Sequence, residues 1–278
     1  MKRIFILSLI AVAFSLSTFG QNTKPVVQDN SFKTREFSDN GVSFKMVAVE
    51  GGTFQMGSED GESDEQPVHS VTLSDYYIGE TEVTQALWEA VMGTTIRDQA
   101  KKGTSSADLK GIGYNYPMYY ISYDDCVAFV KKLNEKMKAA GQLPAGSEFR
   151  LPTEAEWEFA ARGGNSSRGY QYSGSNTLSS VAWYDDNSNL TTHPVKQKRA
   201  NELGLYDMSG NVWEWCYDWY SFGYSSSSQT NPKGPSTGSY RVLRGGSWSS
   251  GAQLCRVACR NCNSPVNRYY YFGLRLAL

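Results

Sequence analysis

The chain has 278 residues, enough for one large domain or two modest ones. Apolar residues make up 40% and charged residues 20%, and the net charge is −1. That balance gives an ordinary globular composition with no basic footprint for nucleic acid or an anionic membrane.

Residues 1–20 read as a secretory signal peptide. Lys2 and Arg3 precede an apolar run, followed by small and polar residues near Gly20. The run is shorter than the roughly 18 apolar residues of a membrane span, and no later segment is long enough to cross a bilayer. Residues 21–42 are polar and without apolar period, so they read as a flexible leader ahead of a domain over 43–278. The mature chain is therefore expected outside the cytoplasm, in the periplasm or at the cell surface. The cysteine count is five, which leaves one thiol over in any full pairing; Cys126–Cys216 is one bridge that stays open.

Within the domain, 44–56 alternates in polarity and reaches Gly51-Gly52, which predicts strand, turn, strand. The acidic stretch 59–65 precedes Pro67 and reads as a solvated loop. A further strand is expected over 71–78. Helical spacing follows over 83–92, with Val83, Leu87, Trp88 and Val91 on one face. Residues 93–116 read as a long irregular connection. A second amphipathic helix is expected over 124–137, with Val127, Phe129, Val130 and Leu133 as its apolar positions. Next, Thr153 and Glu156 form a capping box that starts a helix, which Gly163-Gly164 stops. Beyond Asn165 the chain is rich in Gly, Ser, Asn and aromatic residues, which predicts short strands and loops. The whole reads as an α+β domain.

Four motifs stand in a telling order. They are Glu82-Val-Thr-Gln85, the segment 149–164, Gly204-Leu-Tyr-Asp-Met-Ser-Gly-Asn-Val-Trp-Glu-Trp-Cys216 and Arg244-Gly-Gly-Ser-Trp248, followed by Gly273-Leu-Arg275 near the end. This set resembles the formylglycine-generating enzyme, or sulfatase-modifying factor, family. The resemblance implies a C-type-lectin-like fold, low in regular structure and often holding calcium. Asn211 and Glu214, with the carbonyls of Gly210 and Val212, offer the hard oxygens calcium takes. The alternative is that Asn211 makes a turn and Glu214 pairs with an arginine.

Active members of the family oxidise a substrate cysteine with O₂ and a copper ion held by two cysteines five residues apart. Here those positions are Ser250 and Cys255. A hydroxyl is a poor ligand for Cu(I), so copper is not expected. Were the chain active, Cys255 and Ser247 would be the residues involved. His69 and His193 are too few for a histidine-rich iron site.

The C-terminal stretch alternates framework residues (Arg256, Ala258, Arg260, Pro265, Arg268) with small, polar and tyrosyl ones. The latter are Ser249, Ser250, Gly251, Leu254, Cys259, Asn261, Cys262, Asn263, Ser264, Val266, Asn267, Tyr269, Tyr270, Tyr271 and Phe272. This pattern resembles the variable region of proteins diversified by retroelements, where mutation of Asn codons reaches every one of these residue types. A surface of Tyr, Ser, Gly and Asn also suits binding on its own terms, since tyrosine supplies rigid contact area and small polar residues supply adaptable hydrogen bonds. Successive side chains on a strand alternate faces, so Tyr269–271 are expected to be partly exposed. The expected function is an exported module that binds a protein or cell-surface ligand through this segment. The alternatives are a copper-dependent oxidase and a structural component of an exported complex.

Overall fold

The computed structural model describes residues 33–103 and 108–278. The expected signal peptide and the leader up to residue 32 lie outside the described residues.

The domain starts earlier than residue 43. Strand β1 (Thr34–Asp39) pairs antiparallel with β2 (Val42–Val49) across Asn40-Gly41, whose φ values are 48° and 80°. An Asn-Gly pair is the strongest short hairpin cue, because the turn needs positive φ at both residues. The strand looks like a leader because Phe37 is its one buried residue. That ring packs on Phe44 and Phe149 at centroid distances of 5.5 and 5.0 Å. Phe37→Ala should lower unfolding free energy by about 3 kcal/mol in urea titration; a loss below about 0.5 kcal/mol would mean that β1 contributes nothing to the core.

β3 (Gly52–Met56) is a strand as expected, but it pairs with β4 (His69–Leu73) in a second sheet. The single strand expected over 71–78 is two: after a corner at Ser74-Asp75, β5 (Tyr76–Gly79) joins β2 in the first sheet. The alternation breaks at this corner, where Ser74 and Asp75 are both exposed and the buried positions pass from 69, 71 and 73 to 76 and 78.

Helix α1 (Gln85–Met92) is capped by Thr84 and ends at Gly93 in the left-handed region. A short helix α2 (Ile96–Ala100) interrupts the connection expected to be irregular, started by a Thr95/Asp98 capping box. Helix α3 (Tyr123–Ala139) buries Cys126, Phe129, Leu133 and Met137, while Val127 is exposed. The apolar stripe is thus rotated from the expected one, because Cys126 packs as a hydrophobe. In α4 (Glu154–Ala161) the Thr153/Glu156 capping box forms, and Gly163 follows at φ 94°.

The irregular C-terminal half supplies β6 (Trp213–Trp219), β7 (Gln229–Thr230), β8 (Arg241–Arg244), β9 (Arg260–Asn263) and β10 (Phe272–Leu274). β7 adds to β4, making the order β3-β4-β7, and the others form a sheet in the order β10-β6-β8-β9. β9 is therefore an edge. Trp213 and Trp215 are core residues as expected, and Trp219 is half-buried.

At the N-terminus of α4 the Glu154 amide donates to Asp218 at 2.8 Å. Burial first, and the Glu154 charge second, push the Asp218 carboxyl up to about 8. A native carboxyl raised this far binds its proton when the unfolded one, near 3.9, has lost it. Stability from this group must then fall as pH rises from about 4 to about 8. Asp218→Asn keeps the acceptor and should flatten that part of the thermal-stability profile; an unchanged slope would place the titration elsewhere.

Candidate functional site

The C-terminal surface rests on a turn that only glycine fits. Gly246 has φ 76°, and a Cβ there would lie 2.7 Å from the Cys255 sulfur and 2.9 Å from the Leu254 carbonyl. The turn delivers Trp248, which is buried and donates its indole N–H to the Tyr270 carbonyl at 3.2 Å. Ser250 Oγ accepts from the Ser247 amide and lies 3.0 Å from Ser247 Oγ.

The framework arginines hold the rest in place. Arg256 makes a two-pronged pair with Glu65 at 2.8 and 2.5 Å. The acidic stretch 59–65 is therefore not simply a solvated loop: Glu65 is fully buried at its end. Arg260 grips Glu154 at 2.6 and 2.9 Å and donates to the carbonyls of Asp64 and Ser221. Arg268 grips Asp125, which completes the capping box with Ser122 at the start of α3, at 2.6 and 3.0 Å. Against the effect of burial, Arg268 and the Ser122 amide keep that carboxyl below its usual range. Planar, two-pronged pairs of this kind fix direction as well as distance.

Before, between and after these anchors, Ser249, Leu254 and Val266 are exposed, and Gly251, Asn261, Cys262, Asn263, Ser264, Asn267 and Tyr269–271 are half-buried. Ser250, Cys259 and Phe272 are buried and cannot touch a ligand; they belong to the scaffold, a correction to the expected face. The tyrosines are partly exposed, but for a different reason from strand alternation, since they precede β10. Tyr269 and Tyr271 stack with centroids 5.5 Å apart at 4°, Tyr270 meets Tyr271 edge-on at 4.9 Å, and Tyr270 packs on Trp248 at 5.6 Å. Burial, then the neighbouring phenols, push the Tyr271 hydroxyl up, so it remains a neutral hydrogen-bonding group. Asn263 Oδ1 accepts from Asn267 and from the Ser264 amide.

Sequence reasoning missed Lys110, whose ammonium lies 5.7 Å over the Trp248 ring, and Tyr120, which meets Tyr270 edge-on at 6.2 Å. Both come from far upstream, and no local pattern marks them.

The copper expectation can be set against the donors. Cys255 is buried, and burial followed by the Cys259 thiol pushes its own thiol strongly up. Cys259 is likewise raised, to about 11. Neither is primed as a thiolate, and the position five residues before Cys255 carries the Ser250 hydroxyl already bound to Ser247. These residues do not fit a two-thiolate copper site. All five cysteines are free, so the open Cys126–Cys216 pairing is not made. His69 meets the Pro67 carbonyl and His193 that of Ser188, in separate places.

The Asn211 and Glu214 side chains named for calcium have protein partners. Both Glu214 oxygens accept from Arg275, and one also accepts from the Trp157 indole at 2.6 Å. The Asn211 side chain accepts from the His193 amide and donates to its carbonyl. Among the described residues no group of three or more His, Cys, Asp or Glu side chains is placed to hold a metal. Asn211, at φ 59°, makes the turn, and Glu214 pairs with the arginine.

Comparison with known proteins agrees with this architecture. Among solved structures, Treponema denticola variable protein 1 superposes with a TM-score of 0.76 at 36% identity, covering 88% of this chain and 98% of that one. PvdO from Pseudomonas aeruginosa gives 0.70 at 25% identity, covering 87% and 97%. Among curated sequences, chaperone protein LppX of Paenibacillus barcinonensis is 36% identical over 249 residues, 78% of this chain and 83% of its own. The formylglycine-generating enzyme of Streptomyces coelicolor is 33% identical, over 83% of this chain and 88% of its own. Residues 33–278 match the sulfatase-modifying factor enzyme 1-like domain. With this match, and with a fold of the C-type-lectin-like, formylglycine-generating-enzyme type, the chain belongs to the sulfatase-modifying factor family.

Proposed function

We propose that the chain is an exported binding protein whose C-terminal surface takes a protein or cell-surface ligand. One observation carries this reading. Arg256, Arg260 and Arg268 are each pinned to a carboxylate from another part of the chain, while Asn261, Asn263, Ser264, Asn267 and Tyr269–271 beside them are half-buried and reach the surface. Such an arrangement lets side chains change without moving the backbone, which a diversified surface requires. The likeness to a variable protein supports the same reading. The family's oxidase chemistry is not carried over, because the donors at 250 and 255 do not suit copper(I).

The test is deep sequencing of the gene's 3′ end in many clonal descendants. Substitutions are expected in the first two bases of the codons for exposed and half-buried positions such as Leu254, Asn261, Asn267 and Tyr269–271. The codons of Arg256, Arg260 and Arg268 should stay fixed. An invariant 3′ end would overturn the diversified reading.

A further inference from the structure

A second feature lies apart from the C-terminal surface. Under the chain at 219–235 runs a cleft of about 520 Å³, within the size range of small-ligand sites. The loop that forms its wall is tied down at two points. The Tyr224 amide donates to the Gln66 carbonyl at 2.8 Å and the Asn231 amide to that of Thr72 at 2.9 Å, while β7 pairs with β4 between them. Gly234, at φ 70°, then brings the chain back over the floor. A Cβ there would lie 2.9 Å from the Asp218 Cβ and 3.1 Å from its Oδ1. These ties shape the cleft before any ligand arrives.

The floor is made of buried polar groups. Asp218 and Glu154 are each 4% exposed and His69 3%, and all three line the cleft. Asp218 Oδ2 takes the Glu154 amide, and Oδ1 has no hydrogen-bond partner among the described residues. Nδ1 of His69 is turned to the Pro67 carbonyl at 3.2 Å and so carries the proton, which leaves Nε2 as an acceptor. Glu154 is matched by the two-pronged Arg260, and the raised Asp218 carboxyl is mostly protonated at neutral pH. The floor therefore carries no charge that calls for a counterion.

That balance selects the ligand. An ion entering the cleft would lose its water and meet no unmatched charge in return. A hydroxyl group, by contrast, both donates and accepts, as a protonated carboxyl does. Ser221, Ser225 and Thr230 add further hydroxyls at the exposed rim, and Trp219 with Pro232 supplies apolar surface for ring C–H groups. We propose that this cleft binds one neutral, polyhydroxylated ring of monosaccharide size, oriented by Asp218 and His69 without a metal. The site is independent of the ligand-binding reading of the C-terminal surface.

The test is saturation-transfer NMR on the EDTA-treated full chain at neutral pH. The probes are methyl glucoside, methyl galactoside, methyl mannoside and N-acetylglucosamine, each at millimolar concentration. At least one should receive saturation, and its titration should level off at one sugar per chain. Asp218→Ala should weaken that binding about tenfold or more by removing the orienting group. Ser225→Trp should do the same by filling the cleft from an exposed position, with the floor untouched. Lys233→Ala should change it less than about twofold, because a neutral ring gains little from an exposed ammonium at the rim. No transfer to any of the four sugars, or binding undiminished by Ser225→Trp, overturns the proposal. So does a tenfold loss with Lys233→Ala, which would mark the preferred ligand as an anion. Ser225→Trp decides the location alone, should Asp218→Ala fail to fold.

Discussion

Arg244→Ala should lower the unfolding free energy by about 3–5 kcal/mol, a large part of the 5–15 kcal/mol typical of a domain. Arg244 is fully buried. One of its terminal nitrogens pairs closely with Glu158, and the other donates to the carbonyls of Val257 and Cys259 at 3.1 and 2.6 Å. Its Nε lies 3.1 Å from Glu154 without hydrogen-bond alignment. Burial alone would raise Glu158, yet Arg162 and Arg244 together hold it below the usual carboxylate range. Removing Arg244 leaves Glu158 with Arg162 and the Gly57 amide, opens a cavity beside Trp157, and frees two carbonyls in the segment that leads into β9. Arg244→Lys should recover only part of the loss, because a single ammonium cannot serve the carboxylate and both carbonyls. The double change Arg244→Met with Glu158→Met should cost less than Arg244→Ala, since no fully buried carboxylate is then left short of its partner and Arg162, which loses Glu158, is partly exposed. Urea midpoints decide it: a loss under about 1 kcal/mol for Arg244→Ala would mean that this pair does not anchor the site.

What could be read from the sequence follows the range of the forces involved. The α4 helix was legible to its ends because the Thr153/Glu156 box and Gly163 act within a turn of the backbone. The Asn40-Gly41 hairpin was equally local and carried a cue that a polar strand obscured. Glu65 was not legible: its acidic neighbours suggest solvent, while the Arg256 that buries it stands 191 positions away. The corner at Ser74-Asp75 left only a two-residue break in the alternation, too short to show that the strands on either side join different sheets. In the site, the tyrosines are partly exposed as expected, but type alone could not separate Cys262 from Cys259 or Ser249 from Ser250, pairs alike in chemistry that differ in burial. Lys110 and Tyr120 joined the site only through the fold.

Replacing Tyr269, Tyr270 and Tyr271 together with alanine should weaken ligand binding a hundredfold or more while leaving the domain folded. Buried aromatic anchors commonly carry 2 kcal/mol or more each at interfaces, so three amply account for that factor. Tyr271 should matter most as a single change, because its ring touches Tyr269, Tyr270 and Phe272 and holds the other two in place. These rings also pack against the core, so alanine removes some stability along with contact area. The triple phenylalanine variant separates the two effects. It keeps the stacked rings and removes only the hydroxyls, so it should unfold like the parent yet bind more weakly by about fivefold for each ligand hydrogen bond lost, at about 1 kcal/mol apiece. Binding is read against whatever surface protein the parent chain retains from an extract, once that protein is purified. Equal affinity of the parent and the triple alanine variant would move the binding face away from this segment. It would leave the framework arginines as an architectural device of the family.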